Sequence, residues 1–339
     1  MKIFYSETHR KHEPAFEVFD GGLRTSYLEN PDRMDKILNS LKDTDWADIL
    51  EPTDFGLDPI YAVHDKDYLD FLASSWTEWL DSDPKDSSVL LPATFALRRH
   101  PPKPASLLGR AGYYLMDLSA CIVDGTYEAA LASVNCALST AQEVSNGARA
   151  AFALCRPPGH HAGKDYGGGY CFINNAAVAA HWLSSKGKVV LLDIDYHCGN
   201  GTQDIFYDRD DVLTISIHAD PNYEYPYYAG YATETGTGNG LGFHRNFPLE
   251  MGTDNAQYLS ALGEALSLIR KFETNYLVLS SGMDIYADDP LGKIKVTTEG
   301  IGEIANRISA LDLPTAIIME GGYNNDALGK NIINLLGAF

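Results

Sequence analysis

In the stretch DIDYHCGNGTQ, Asp193 to Gln203, two aspartates, a histidine and a cysteine fall within six positions, directly behind the apolar run KVVLL. Asp195 and His197 offer a hard carboxylate oxygen and an imidazole nitrogen, and Asp284, further along, offers a second carboxylate. That donor set suits a catalytic zinc or ferrous ion with positions left open for water and substrate. Read as the end of a strand, alternation with period two turns Asp195 and His197 to the same side. An Asp-x-His pair by itself is more often a solvated strand end, so the chemistry requires partners.

Several candidates for those partners stand elsewhere in the chain. His160 and His161, in RPPGHHAG, can take a proton from water and return one to a departing amine, because histidine titrates near neutral pH. Asp193 and Asn200, which flank the metal candidates, are the natural groups to orient them. Tyr323, in MEGGY, follows two glycines that allow a sharp fold of the chain and could donate its hydroxyl to a developing oxyanion. As one of twenty tyrosines it could equally be a core residue. GGGYCFINN, from Gly167, lacks both Gly-Lys-Ser/Thr and GxGxxG spacing, so it reads as backbone approaching a narrow channel, not as a phosphate loop.

The elements that must position these residues are visible as apolar runs: MKIFYS at the start, then ARAAFALC, KVVLLDID, DVLTISIH, NYLVLSSG and PTAIIMEG. CFINNAAVAAHWLSSKG, NAQYLSALGEALSLIRKF and TTEGIGEIANRISAL, which lie between them, repeat apolar residues at three and four, and TYEAALASVNCALSTAQEVSNG has helical composition. Near-continuous apolar strands separated by helices predict an α/β fold with a parallel sheet covered on both faces. His160 and His161, Asp195 and His197, His218, Asp284 and Tyr323 follow or close successive runs. In an open parallel sheet those ends share one edge, where ligands bind. Residues 81 to 110, rich in proline and without a period, predict a long surface loop, used in function or in contacts between subunits.

Composition bounds the rest. The 339 residues, 45% hydrophobic and without a repeat or low-complexity divider, favour one catalytic domain over the whole chain. A charged N-terminus and the absence of any long apolar run predict a soluble, unexported protein. Five cysteines without CxxC spacing argue against a disulfide framework and fit a reducing cytoplasm. A formal charge of -20 opposes nucleic acid and anionic membrane as partners and favours small cations, although excess acid also serves solubility alone.

RPPGHHAG, GGYCFINNAAVAA, DIDYHCGNGTQDIFY, SGMDIYADDPLG and MEGGY, in this order and spacing between about residues 150 and 325, resemble the metal-dependent histone deacetylase superfamily. The proline-bearing loop and GYY at 112 to 114 are most similar to the bacterial acetylpolyamine amidohydrolases. The resemblance implies the arginase/deacetylase fold, a single α/β domain around an eight-stranded parallel sheet. It implies zinc (Fe2+ also fits) on Asp195, His197 and Asp284, and Tyr323 polarising the substrate carbonyl. His161 would act as general base and acid, with His160 as its electrostatic partner. Asp193 would bond His160 and help hold a structural K+ near Ser216, and Asn200 would orient His161. Tyr170 and Tyr225 would wall the substrate tunnel, with Gly169 contacting the substrate amide, and the loop would pack across a homodimer. Many members carry a second histidine after the metal-binding one; here that residue is Cys198, which alternation turns away from the ion as a buried thiol.

The expected reaction is hydrolysis of acetylated polyamines or diamines to acetate and free amine. A protein lysine deacetylase, a binuclear manganese ureohydrolase and a non-catalytic binder of acetylated ligands are the alternatives. Gly199, standing where a bridging carboxylate would be wanted, disfavours the second.

Overall fold

The computed structural model describes residues 1–19, 22–96 and 102–339. Its centre is one sheet of eight strands in the order β4-β1-β5-β10-β9-β6-β7-β8, with every pairing parallel. The strands are β1 (Lys2–Phe4), β4 (Asp48–Leu50), β5 (Ala150–Ala153), β6 (Val189–Asp193), β7 (Val212–Ala219), β8 (His244–Leu249), β9 (Tyr276–Ser281) and β10 (Thr315–Met319). A separate antiparallel ribbon joins β2 (Glu17–Phe19) to β3 (Leu23–Thr25). Every residue of β6, β7 and β10 is buried, which a run such as VVLLD tolerates only where helices cover both faces.

The covering helices are built accordingly. Asn175–Ser184 is almost wholly buried, and its alanines let it lie close to the sheet. Asn255–Phe272 starts with a reciprocal capping box between Asp254 and Gln257, which satisfies orphan backbone donors at that end. Among the described residues, no helix is long and apolar enough to cross a membrane.

Six of the eight strands coincide with the apolar runs. β4 and β8 do not, for physical reasons. β4 is three residues long with no fully buried member, and β8 is an edge strand, HRNFPL, whose polar residues and Pro248 are tolerated because only β7 pairs with it. The surface-loop expectation for 81 to 110 also needs correction. Helix Lys66–Asp81 reaches its first residue, and helix Leu107–Tyr114, capped by Ser106, takes its last four. Between them Val89 and Leu90 are buried, with Leu90 bridged to Ile122. Val89 joins Tyr27, Cys121, Val123 and Tyr170 in a small apolar cluster, so part of this segment is packed beneath the site. Residues 97–101 of the loop lie outside the described residues.

Candidate active site and metal centre

Asp193 ends β6, and the chain then turns on its own carboxylates instead of continuing as a strand. The Asp195 N–H donates to Asp193 Oδ1 at 2.9 Å, and the His197 N–H donates to Asp195 Oδ1 at 2.8 Å. Strand alternation therefore is not what brings Asp195 and His197 together; successive side-chain-to-backbone turns do. Asp284, beyond β9, accepts from the Tyr196 N–H at 2.9 Å, and Asp195 Oδ2 accepts from the Gly321 N–H at 2.9 Å. One candidate ligand atom from each of Asp195, His197 and Asp284 lies within 4.8 Å of the others.

The electrostatics of this trio call for a cation. Burial pushes the Asp284 carboxyl up to about 7, and the neighbouring Asp195 adds to the rise. Burial acts the same way on Asp195, but the charges of His160 and His197 outweigh it and hold that carboxyl far below its usual range. His197 is pulled the other way: burial would lower it, while hydrogen bonds to Asp195 and Asp284 lift it to about 9. Glycine lines the site, because a Cβ at Gly282 or Gly321 would run into the carboxylates of Asp195 and Asp284. Two buried acids and an imidazole in a cradle that admits no side chain fit a divalent metal ion.

The tandem histidines have different partners. His160 Nδ1 lies 2.9 Å from Asp193 Oδ2, and His161 Nδ1 lies 2.7 Å from Asn200 Oδ1. The Asn200 amide nitrogen faces the Tyr166 hydroxyl at 3.3 Å, which leaves its oxygen to accept from His161 Nδ1–H and makes Nε2 the basic nitrogen. Burial disfavours the cation of either ring. At His160, Asp195 and Asp193 reverse that and raise its pKa well above the ordinary value. At His161 the charges of His160 and His197 add to burial and press it well below.

Tyr323 closes the ring of groups. Gly322 takes a φ of +120° ahead of it, open to glycine and strained for other residues. The N–H groups of Tyr323 and Asn324 donate to Asp289 Oδ2 at 2.7 and 3.1 Å, and the buried Arg33 guanidinium donates to the carbonyls of Gly322 and Glu320, both at 2.7 Å. Burial raises the phenol well above its usual pKa, so it keeps its proton.

Tyr323, His161 and His197 open into a cavity of about 250 Å³ whose walls include Gly169, Tyr170, Tyr225 and Leu291. Tyr170 holds a φ of +68°, a costly conformation for a tyrosine, and its hydroxyl donates to Glu17 Oε2 at 2.8 Å. The Tyr225 ring stands edge-on to His161 at 4.9 Å. One acid joins these walls: Asp117 Oδ2 accepts from the Gly169 N–H at 2.6 Å and from the Tyr225 hydroxyl at 2.7 Å.

The histone deacetylase domain model matches residues 27–339. The chain belongs to the histone deacetylase domain family. It is 43% identical over 342 residues to acetylpolyamine amidohydrolase 2 of Pseudomonas aeruginosa, covering 100% of this chain and 98% of that one. To the acetylpolyamine amidohydrolase of Mycoplana ramosa it is 40% identical over 339 residues, covering 99% and 98%. The crystal structure of acetylpolyamine aminohydrolase from Burkholderia pseudomallei superposes with a TM-score of 0.96 at 40% identity, over 100% of this chain and 98% of that one. This member of the family thus has the deacetylase fold and is a hydrolase acting on amides.

In this deacetylase-family chain the structure gathers Asp195, His197, Asp284, His160, His161, Asp193, Asn200, Tyr323, Gly169, Tyr170 and Tyr225 around one region. Strand register sets Ser216 opposite Asp193. Cys198 is buried and sits next to His218 across Gly230, outside the metal trio. Asp117, Arg33 and Glu17 carry no sequence signal of their own and are identified only by their partners, whereas Asp289 lay inside SGMDIYADDPLG without an assigned task. Glu320 lay inside MEGGY without an assigned task, and it accepts from the N–H groups of Gly159 and His160 at 2.7 and 3.2 Å, fixing the start of the histidine pair.

Proposed function

We propose that this protein is a zinc-dependent deacetylase of acetylated polyamines and small acetylated diamines, releasing acetate and free amine. The observation that carries the reading is the joining of a buried two-carboxylate, one-imidazole trio to a neutral-prone histidine and a protonated phenol at the floor of one narrow, aromatic cavity. Full-length relatives named acetylpolyamine amidohydrolases support the substrate class. Zinc held by Asp195, His197 and Asp284 would supply Lewis acidity to the acetyl carbonyl and a more acidic water nucleophile; the ferrous ion suits the same donors.

His161 Nε2 takes the proton as water attacks, with Nδ1–H anchored on Asn200 so that the ring cannot turn away. The Tyr323 O–H donates to the carbonyl oxygen as it becomes an oxyanion. His160, kept cationic by Asp193 and Asp195, makes His161 reluctant to hold a proton and so ready to pass it to the departing amine. Tyr170 and Tyr225 enclose the methylene chain, and Gly169 stands where its backbone can meet the substrate amide.

A structural potassium ion beside Asp193 and Ser216, and a homodimer formed through the 81 to 110 segment, belong to the same reading. The register of β6 on β7 supports the first. One trio of ligating groups is found among the described residues, which favours a single ion over a binuclear centre.

The test is acetate release from acetylputrescine, acetylcadaverine, acetylspermidines and an acetyl-lysine peptide, with one zinc-loaded preparation and a Tyr323→Phe control. Turnover of the small amines well above the peptide, lost in the control, is expected. The opposite preference would make the protein a lysine deacetylase, and no turnover of any would leave a binder of acetylated ligands.

A further inference from the structure

Five described residues other than glycine hold a positive φ: Asp83, Tyr170, Tyr227, Glu273 and Asp312. Aspartate tolerates that region, and Glu273 caps the end of helix Asn255–Phe272, where left-handed backbone is common. The two tyrosines have neither reason, and both line the cavity above the metal trio. Tyr227, at φ +62°, takes no part in the chemistry at the floor. Its backbone is held on both sides. The Tyr227 N–H donates to the Glu224 carbonyl at 3.0 Å, the Tyr228 N–H to the Pro226 carbonyl at 2.7 Å, and the Tyr231 hydroxyl to the Tyr227 carbonyl at 2.8 Å. The ring, by contrast, belongs to neither apolar cluster and is 47% exposed. A costly backbone conformation that serves no core packing is maintained for where it places the side chain.

Depth orders the walls of the cavity. His161 is 3% exposed at the floor, Tyr225 is half-buried and edge-on to it, and Tyr227, two residues on, stands at the outer end. An acetamide that reaches the floor therefore brings the far end of its chain out toward Tyr227. The other groups that could meet a cation on the way are taken. Glu224 is paired with Lys293, the Tyr170 hydroxyl with Glu17, and the Tyr225 hydroxyl with Asp117. Phe19, also in the wall, packs against the small cluster that contains Tyr27, Val89 and Tyr170. The face of an aromatic ring is electron-rich, and a half-exposed one can hold an ammonium without stripping off all of its water.

We propose that Tyr227 is a specificity-determining residue, whose ring face receives the distal ammonium of an acetylated diamine or polyamine as it emerges from the cavity. The contact needs the π-face and not the hydroxyl. An uncharged tail of the same length gains only apolar contact from the ring, so the preference for a cationic tail resides in this side chain. The left-handed turn at Tyr227 is what presents the ring to the mouth. The inference rests on the acetylated-amine reading for its substrate and on the cavity wall for its geometry.

The test compares zinc-loaded wild type, Tyr227→Phe and Tyr227→Leu on acetylcadaverine and on its uncharged counterpart N-hexylacetamide. All three side chains are bulky and share the backbone strain, and the ring belongs to no core cluster, so the variants should melt with wild type. The ratio of kcat/KM, charged over uncharged, should stay within about 1.5-fold of wild type in Tyr227→Phe. In Tyr227→Leu it should fall about fourfold, mostly through KM, the scale of an exposed cation–π contact. A ratio unchanged in Tyr227→Leu would overturn the proposal, and so would an equal fall in both variants, which would assign the effect to the hydroxyl. Calorimetric binding of the same two acetamides in a Tyr323→Phe background, which spares them from hydrolysis, separates this outcome from failure of the proposed function. A preference for the charged ligand that Tyr227→Leu loses and Tyr227→Phe keeps would support the contact even if wild type cleaved neither. An equal preference in all three proteins, or none in any, would refute it.

Discussion

The rings of His160 and His161 lie 4.0 Å apart, centroid to centroid, yet only His160 is paired with an acid. The Asp193 carboxylate favours the doubly protonated His160 ring, and the neutral amide of Asn200 holds His161 by its single Nδ1–H and leaves Nε2 bare. Two chemically identical neighbours thereby acquire opposite charge preferences. Replacing Asn200 by Asp would put a carboxylate against His161 and raise its pKa. Because the base must be unprotonated, the acid limb of the kcat/KM profile should move to higher pH, and activity near pH 6 should drop more than activity near pH 8. A pH–rate profile with an unmoved acid limb would contradict the assignment of His161 as base.

Tyr323 should contribute through its hydroxyl alone. The ring is held by the Asp289 contacts to its backbone and by Arg33 beneath it, so Tyr323→Phe should fold like wild type. A loss of about 10²–10³ in kcat is expected, with KM little changed, the scale for removing one oxyanion donor. A comparable rise in KM with kcat unchanged would instead mean that the phenol binds ground-state substrate.

Metal removal offers a readout apart from catalysis. The trio concentrates two buried carboxylates, one already driven toward protonation, and a divalent ion relieves that repulsion. Ion binding to the folded state alone adds stability, about 2.7 kcal/mol at a hundredfold excess over Kd. Chelator-treated protein should therefore melt several degrees lower and recover on adding zinc, and Asp195→Ala combined with Asp284→Ala should abolish the zinc response in differential scanning fluorimetry.

Acid should destabilise the fold through its buried histidines. His64 bonds the Gly163 carbonyl through Nδ1 at 2.8 Å and accepts from the Asn174 N–H through Nε2 at 3.0 Å. Burial lowers it from 6.5 to about 4, so between those values the unfolded chain binds a proton that the folded chain refuses. Stability is full above about pH 6.5 and falls as pH drops through that window, by about 3 kcal/mol for this residue once pH 4 is reached. The Tm should decline steeply across that range, and His64→Asn should show a shallower decline from its own starting value.

Asp117 should govern substrate access more than chemistry. Its removal in Asp117→Ala would strand the Gly169 N–H and the Tyr225 hydroxyl, two groups that set the cavity's walls. An increase in KM of about tenfold or more is expected for acetylated diamines, with kcat reduced less. Steady-state kinetics resolve the two effects.

The sequence by itself determined which residue types could do chemistry and that they close successive buried strands. Apolar runs such as VVLLD and TAIIM encode their own burial, and the DIDYH and GHH motifs are local, so both survive translation into one dimension. It did not disclose β4 and β8, whose residues lack an apolar pattern because they sit at sheet edges. Nor did it show which partners each carboxylate takes. Asp117 and Glu224 are alike on paper; packing commits the first to four donors of the fold and pairs the second with the Lys293 ammonium. Only the tertiary structure decided which histidine is charged, which acid is spent and how deep the trio lies, because each depends on partners up to hundreds of residues apart, and burial in a low dielectric makes those partners decisive.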